Sequence, residues 1–499
     1  MTVKKYKREA GVLLPISALP SPYGIGGFSR EAYHFVDMLA KGGQSVWQIL
    51  PLCPTSLGDS PYQSPASFAG NPYYISLDAL AEQGLLRKEE LPENKDKSGK
   101  IGYGRLYLER YPLLRKAFAS FQNTEKPKAY HSFVEENRSW LEDTALFMAI
   151  KKSLSGAPAW NFPKDLLERK SEALNRAREE LSEEIELWKF LQYEFFSQWK
   201  KLKSYANLRG IKIMGDLPIY VSADSAEVWA RPELFQLDEK RCPTAVAGCP
   251  PDAFSPLGQL WGNPLYAWEN HKNECFEWWK NRISTALSNC DILRIDHFRG
   301  FESYYAVPYG NSDATEGHWE KGMGEELFKE VRKDLGNAEL VAEDLGFLTE
   351  EVHRLRDSFG FTGMKIIQFG FNGEDEYLPY EYGENTVAFT GTHDNPTLFQ
   401  WLSELSPESE ARLRGYLRDR TTPKEWLGDK VISLAMMSHS RLCVIPMQDY
   451  LGIGAEGRIN RPASRSGNWS WRMKEEDINE KTAERMKELA EIYGRTGKS

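Results

Sequence analysis

The 499-residue chain is poor in cysteine and histidine and has no long apolar run. Its six cysteines are Cys53, Cys242, Cys249, Cys275, Cys290 and Cys443. None form a C-x-x-C pair and no histidine cluster accompanies them, which argues against a zinc site or a disulfide framework. Free buried thiols are expected. No stretch reaches the roughly 20 apolar residues of a membrane span, and MTVKKYKREAG is not followed by a signal-peptide core. A cytoplasmic protein with no membrane partner is expected. Positive charge is not in excess. The 63 basic and 72 acidic side chains give a net charge of −9, with no basic stripe to hold nucleic acid. No internal repeat occurs. SPYGIGGF at 21–28 lacks the G-x-G-x-x-G spacing and reads as a tight loop. Aromatics are plentiful at 12%, with 15 Trp and 23 Tyr. They read as core residues and surface anchors, or as flat faces lining a groove for a long, weakly polar ligand.

Eight runs read as buried strands: GVLLPISAL (11–19), SVWQILPL (45–52), IKIMGDLPI (211–219), DILRIDHF (291–298), ELVAEDLG (339–346), GMKIIQFG (363–370), TVAFTGTHD (386–394) and LCVIPMQDY (442–450). Most are continuous apolar runs, as strands covered on both faces should be. Helical patterns lie between several of them. SREAYHFVDMLAKGG (29–43) ends on glycine, and LTEEVHRLRDSFG (348–360) has Thr349 as its expected N-cap. Strands alternating with helices suggest an α/β protein, a (β/α)₈ TIM barrel, with a doubly wound open sheet as the alternative. Asp216, Asp296, Glu343, Asp394 and Asp449 all fall near the C-terminal ends of their runs. In a barrel those ends ring one mouth, where active sites are built.

The chain reads as one elaborated barrel over 1–499 with two insertions. Residues 80–205 are rich in Glu, Lys, Leu and Ala and strongly helical in pattern. Residues 220–275 are rich in Pro, Gly and aromatics, a composition suited to an ordered, loop-rich lid. The segment 478–494 reads as a closing amphipathic helix stopped at Gly494.

Three strand-like runs end on an acid: LRIDHFRG (293–300) on Asp296, VAEDLG (341–346) on Glu343 and AFTGTHDN (388–395) on Asp394. Glycosidic-bond chemistry needs such a set, with one carboxylate to attack, one acid to protonate the leaving oxygen and a third group beside them. Arg294 and Asp296 are two apart and share a face. The arginine should lower the Asp296 pKa and keep it ionised, or the two are a structural ion pair. An apolar surround should keep Glu343 protonated, though alone it reads equally as a solvent-facing strand end. His393 abuts Asp394.

LRIDHFRG, VAEDLG and GTHDN resemble conserved regions of the 4-α-glucanotransferases, the amylomaltases or disproportionating enzymes of the α-amylase clan. So do LLPISALPSPYGIGGF near the start, GDSPYQSPASFAGNPYYISL (58–77), GDLPIYVSADSAEVWA (215–230), VAGCPPDAFSPLGQLWGNPLYAW (246–268) and QDYLGIGAEGRINRP with NWSWR near the end. The last motif departs from the family's frequent Pro-Gly-Thr, with Ala463 and Ser464 after Pro462. The resemblance implies Asp296 as nucleophile, Glu343 as general acid/base and Asp394 as the carboxylate that holds sugar hydroxyls. It implies Arg294, His393 and Asp216 around the sugar at the scissile bond, and Trp261 in the cleft. It also implies Tyr62, Ser60 and Asp252 in substrate-contacting loops. On their residues alone, Tyr62 and Trp261 also read as loop anchors and Asp252 as a turn former. Asn460, Asn468 and Trp469 read as shaping the last loop.

The implied activity is transfer of α-1,4-glucan segments between maltodextrins, or segments of starch or glycogen, with glucose or maltose as acceptors. No cofactor and no metal are expected. The rivals are a retaining glucan hydrolase using the same acids, a non-catalytic glucan-binding protein, and a metal-dependent barrel enzyme with acids at its strand ends.

Overall fold

The computed structural model describes residues 7–56, 58–92, 98–251, 255–462, 464 and 466–497. Asp252 and Ala463, singled out above, lie outside them. All eight expected runs carry strands of one parallel sheet. In chain order the strands are β1 (Glu9–Leu13), β2 (Val46–Gln48), β3 (Lys212–Leu217), β4 (Ala245–Cys249), β5 (Gln259–Pro264), β6 (Ile292–Ile295), β7 (Ser303–Pro308), β8 (His318–Lys321), β9 (Leu340–Ala342), β10 (Gly363–Ile366), β11 (Thr386–Phe389) and β12 (Leu442–Pro446). The parallel sheet runs β10-β11-β12-β1-β2-β3-β6-β9. A parallel bridge from Val341 to Thr362 brings β9 back beside β10, so the sheet is a nearly closed (β/α)₈ barrel.

The strands are shorter than the apolar runs that announced them. TVAFTGTHD, for example, is strand only over Thr386–Phe389, and its polar remainder is a loop over the mouth. Inside the barrel, Leu13, Met214, Ile292, Val341, Met364 and Val387 belong to one buried cluster. A larger core packs the outer faces of the strands against helices. The first of these, Arg30–Lys41, stops at Gly42, where a Cβ would meet Met486 of the last helix at 3.0 Å. That last helix, Glu480–Ile492, is followed by Gly494 in the left-handed region. Thr349 stands at the N-cap of Glu350–Ser358 but makes no capping bond.

Between β2 and β3 stand the helices Tyr103–Gln122, Lys128–Glu136, Arg138–Ser153, Ser171–Glu180 and Ser182–Leu208. Trp140, Phe147, Phe162 and Trp188 share a separate buried cluster here, joined by Trp229 from beyond β3. The connections that leave β3 and β6 contribute β4, β5, β7 and β8. These form a four-stranded antiparallel sheet in the order β5-β4-β7-β8. It extends the ordered structure beyond 220–275 to Lys321, which the sequence did not indicate because β8 is short and largely solvent-facing.

Candidate active site

The site starts from register. Asp216 on β3 pairs with Arg294 on β6, and Arg294 pairs with Val341 on β9. Val341 belongs to the barrel interior, so this layer turns its side chains inward at the C-terminal end. Arg294 Nη1 lies 2.6 Å from Asp216 Oδ1 and 3.1 Å from Asp296 Oδ1. Tyr62 donates its hydroxyl to the other Asp216 oxygen at 2.6 Å. The Tyr62 loop is braced by Ser60, whose Oγ accepts the Tyr62 N–H at 3.2 Å.

Asp296 follows β6 directly, and His297 after it takes a left-handed conformation, φ +43°. That sharp turn aims the His297 N–H at Glu343 Oε2, 2.7 Å away. Glu343 is tied in twice more. Its N–H donates to Ile295 O at 3.0 Å, and its carbonyl accepts the Phe298 N–H at 3.1 Å. Two backbone bonds therefore fix the strand ends that carry the acids, and the His297 N–H orients the Glu343 carboxyl.

Asp394 sits in a compact loop after β11, where Asn395 Oδ1 accepts the N–H and hydroxyl of Thr392. Asn460, from the loop after β12, donates to Asp394 Oδ1 at 2.7 Å. His393 Nε2 lies 3.3 Å from Asp394 Oδ2. The His393 ring stacks on Tyr62, with centroids 5.2 Å apart and planes at 12°. Trp469 touches both rings. Trp261, on β5, meets the His297 ring edge to face at 4.8 Å. Gln63 joins the Tyr62 loop to β5 through Asn263 Oδ1 and Trp261 O, at 2.8 and 3.3 Å.

The electrostatics correct one expectation. Arg294 does not hold Asp296 low. Burial pushes the Asp296 pKa up to about 7; Arg294 opposes the rise, while Asp216 and Asp394 add to it. Arg294 is shared, and its shorter contact goes to Asp216. Burial raises Glu343 well above the ordinary carboxylate range, against Arg294 and with Asp296 adding to the rise. Burial thus raises both neighbouring carboxyls, and the two titrate as one pair. Arg294 itself stays firmly charged, because the pull of Asp216 and Asp296 exceeds the penalty of burial. Burial lowers His393, which favours the neutral ring.

The expected residues Tyr62, Ser60, Asp216, Trp261, Arg294, Asp296, Glu343, His393 and Asp394 belong to this one network. Asp449 does not join the acids at the mouth. It is fully buried, accepting the Thr390 hydroxyl at 2.5 Å and the Leu398 N–H at 2.8 Å. Sequence reading left Asn460 and Trp469 as loop-shaping residues and gave Gln63 no role. Their places depend on contacts far apart in the chain.

A parallel barrel with three carboxyls, Asp296, Glu343 and Asp394, brought to one mouth is equipment for glycosidic-bond chemistry. Comparison with known proteins agrees. A family model described as 4-alpha-glucanotransferase matches residues 14–478. A 4-alpha-glucanotransferase of Clostridium butyricum is 47% identical over 486 residues, covering 96% of this chain and 99% of that protein. One from Thermus thermophilus is 44% identical, covering 98% and 99%. The structure of an amylomaltase from Streptococcus agalactiae in complex with acarbose superposes with a TM-score of 0.94. It is 42% identical and covers 98% of this chain and all of that one. The chain belongs to the 4-alpha-glucanotransferase family.

Proposed function

We propose that the protein transfers α-1,4-glucan segments from one maltodextrin to the 4-hydroxyl of another, by a retaining double displacement. The observation that supports the mechanism is geometric: Asp296, held by Arg294, and Glu343, held by the His297 N–H, end neighbouring strands at one mouth. Asp296 attacks the anomeric carbon, and Glu343 delivers its proton to the departing glycosidic oxygen. A covalent glucosyl-enzyme forms. Glu343, now a carboxylate, takes the proton from the acceptor 4-hydroxyl as that oxygen displaces Asp296. The His297 N–H on Glu343 Oε2 leaves Oε1 to carry the proton. Asp394, oriented by Asn460, binds sugar hydroxyls, and Asp216 with Arg294, His393 and Tyr62 forms the wall around the reacting ring. Asp252 serves in a substrate-contacting loop.

The antiparallel sheet and Trp261 act as a lid that limits water at the glucosyl-enzyme, and the helices between β2 and β3 form a distinct insertion on the barrel. The buried free thiols Cys53, Cys290 and Cys443 suit a cytoplasmic setting. Among the described residues no helix is long and apolar enough to cross a membrane, and no group of three or more His, Cys, Asp or Glu is placed to hold a metal.

Incubation with maltotriose tests the proposal. Transfer gives glucose and longer maltodextrins with almost no gain in total reducing ends, whereas a steady rise in reducing ends would mark a hydrolase. Asp296→Asn should abolish turnover and keep glucan binding. Undiminished turnover would remove Asp296 from the nucleophile role. Loss of activity in chelator would favour a metal-dependent enzyme.

A further inference from the structure

Phe347 lies four residues beyond Glu343 and is 70% exposed. Gly346, at φ +79°, turns the chain immediately before it. A lone exposed apolar side chain needs no explanation, but this one is held in place. The Arg299 guanidinium, only 5% exposed, donates through Nη1 to the Phe347 carbonyl. Its Nη2 lies 3.3 Å from Ser303 Oγ on β7, and its plane sits 3.6 Å from the centroid of Trp319 on β8. Arg299 comes three residues after Asp296. One buried cation therefore fixes the loop after β6, the loop after β9 and the antiparallel sheet around an outward-facing phenyl ring.

The place of that loop on the barrel narrows the role of the ring. The wall around the reacting sugar comes from the loops and ends of β2, β3, β6, β11 and β12. β9 pairs with β6 at the end of that arc and contributes the acid Glu343 to the mouth. Phe347 follows Glu343 in the loop that leaves β9. We infer that Phe347 is an acceptor-side stacking platform, taking the apolar face of a glucose ring beyond the bond that is made or broken. This rests on the transglycosylation reading. The occupant is an incoming glucan, because the ring belongs to the loop that carries the acid/base to the acceptor hydroxyl.

Double-displacement kinetics separate the two substrates. With amylose as donor and maltose as the varied acceptor, Phe347→Ala should raise the acceptor KM about 3- to 10-fold. It should raise donor KM less and increase the share of product formed by hydrolysis. Phe347→Trp should hold acceptor KM at or below the wild-type value. An unchanged acceptor KM in Phe347→Ala overturns the inference, as does an effect confined to donor KM. Absence of maltose-dependent transfer in the wild type would instead refute the proposed function.

Discussion

Arg294 Nη1 is shared between Asp216 at 2.6 Å and Asp296 at 3.1 Å. The guanidinium is almost wholly buried, as is Asp216. Removing one partner of a buried ion pair leaves the other charge uncompensated, at a cost of about 3–5 kcal/mol. Arg294→Ala should therefore lower kcat/KM by about 10³-fold and move the acid limb of its pH profile upward, since Arg294 opposes the rise of Asp296. Arg294→Lys keeps the charge but not the planar guanidinium that places Nη1 between the two carboxylates, and should fall between the two. Steady-state kinetics across pH would decide.

The wild-type profile of kcat/KM should itself be bell-shaped. Asp296 acts ionised, so activity rises with pH through its pKa of about 7. Glu343 acts protonated in the first step, so activity falls again at higher pH, where that raised carboxyl ionises. A profile with no acid limb between pH 5 and 8 would contradict the burial assigned to Asp296.

The same shift has a consequence for stability. Asp296 has a higher pKa folded than unfolded, so the folded state binds the proton more tightly. Its stabilising contribution is complete below about pH 4 and disappears as pH rises through about 7. Asp296→Asn mimics the protonated form at every pH. Its melting temperature should exceed the wild type's by about 1–3 °C at pH 8, and the gap should close toward pH 4. Calorimetry at the two pH values measures this without any turnover.

The features legible in the sequence depend on local pattern. Eight buried parallel strands could be read because strands covered on both faces are continuous apolar runs. The Arg294–Asp296 contact could be read because alternate residues of a strand share a face. The stronger claim of Asp216 on Arg294 could not, since it depends on β3–β6 register between residues 78 apart. The direction of the Asp296 shift was misread for a related reason. A neighbouring arginine is visible in sequence, whereas the desolvation that outweighs it exists only once the barrel closes. The full extent of the sheet containing β4, β5, β7 and β8 was hidden because its edge strand β8 is four residues long and largely exposed.

Asn460 reaches Asp394 across 66 residues of chain, donating to Oδ1 at 2.7 Å. Its own N–H donates to the His393 carbonyl at 3.1 Å, so it holds the third carboxylate by side chain and the preceding residue by backbone. Asn460→Ala leaves the backbone bond and removes the orienting one. It should lower kcat/KM by about 10- to 100-fold. Asn460→Gln, which keeps the amide one methylene farther out, should recover part of that loss. Equal kinetics for Asn460→Ala and wild type would show that Asp394 needs no such support.

Asp449 supports the same loop from below. Its two oxygens hold the Thr390 hydroxyl and the Leu398 N–H, the two ends of the segment that carries His393 and Asp394. Burial raises its pKa to about 6, with both hydrogen bonds opposing the rise. Asp449→Ala leaves two buried donors without an acceptor, and each such donor costs about 1–3 kcal/mol. It should lower the unfolding free energy by about 2–4 kcal/mol and reduce kcat through a loosened Asp394. Asp449→Asn keeps an acceptor for only one of the two donors and should fall between. Denaturant unfolding with parallel kinetics separates the two effects. A stable Asp449→Ala with full activity would show that the loop is held by its own turn alone.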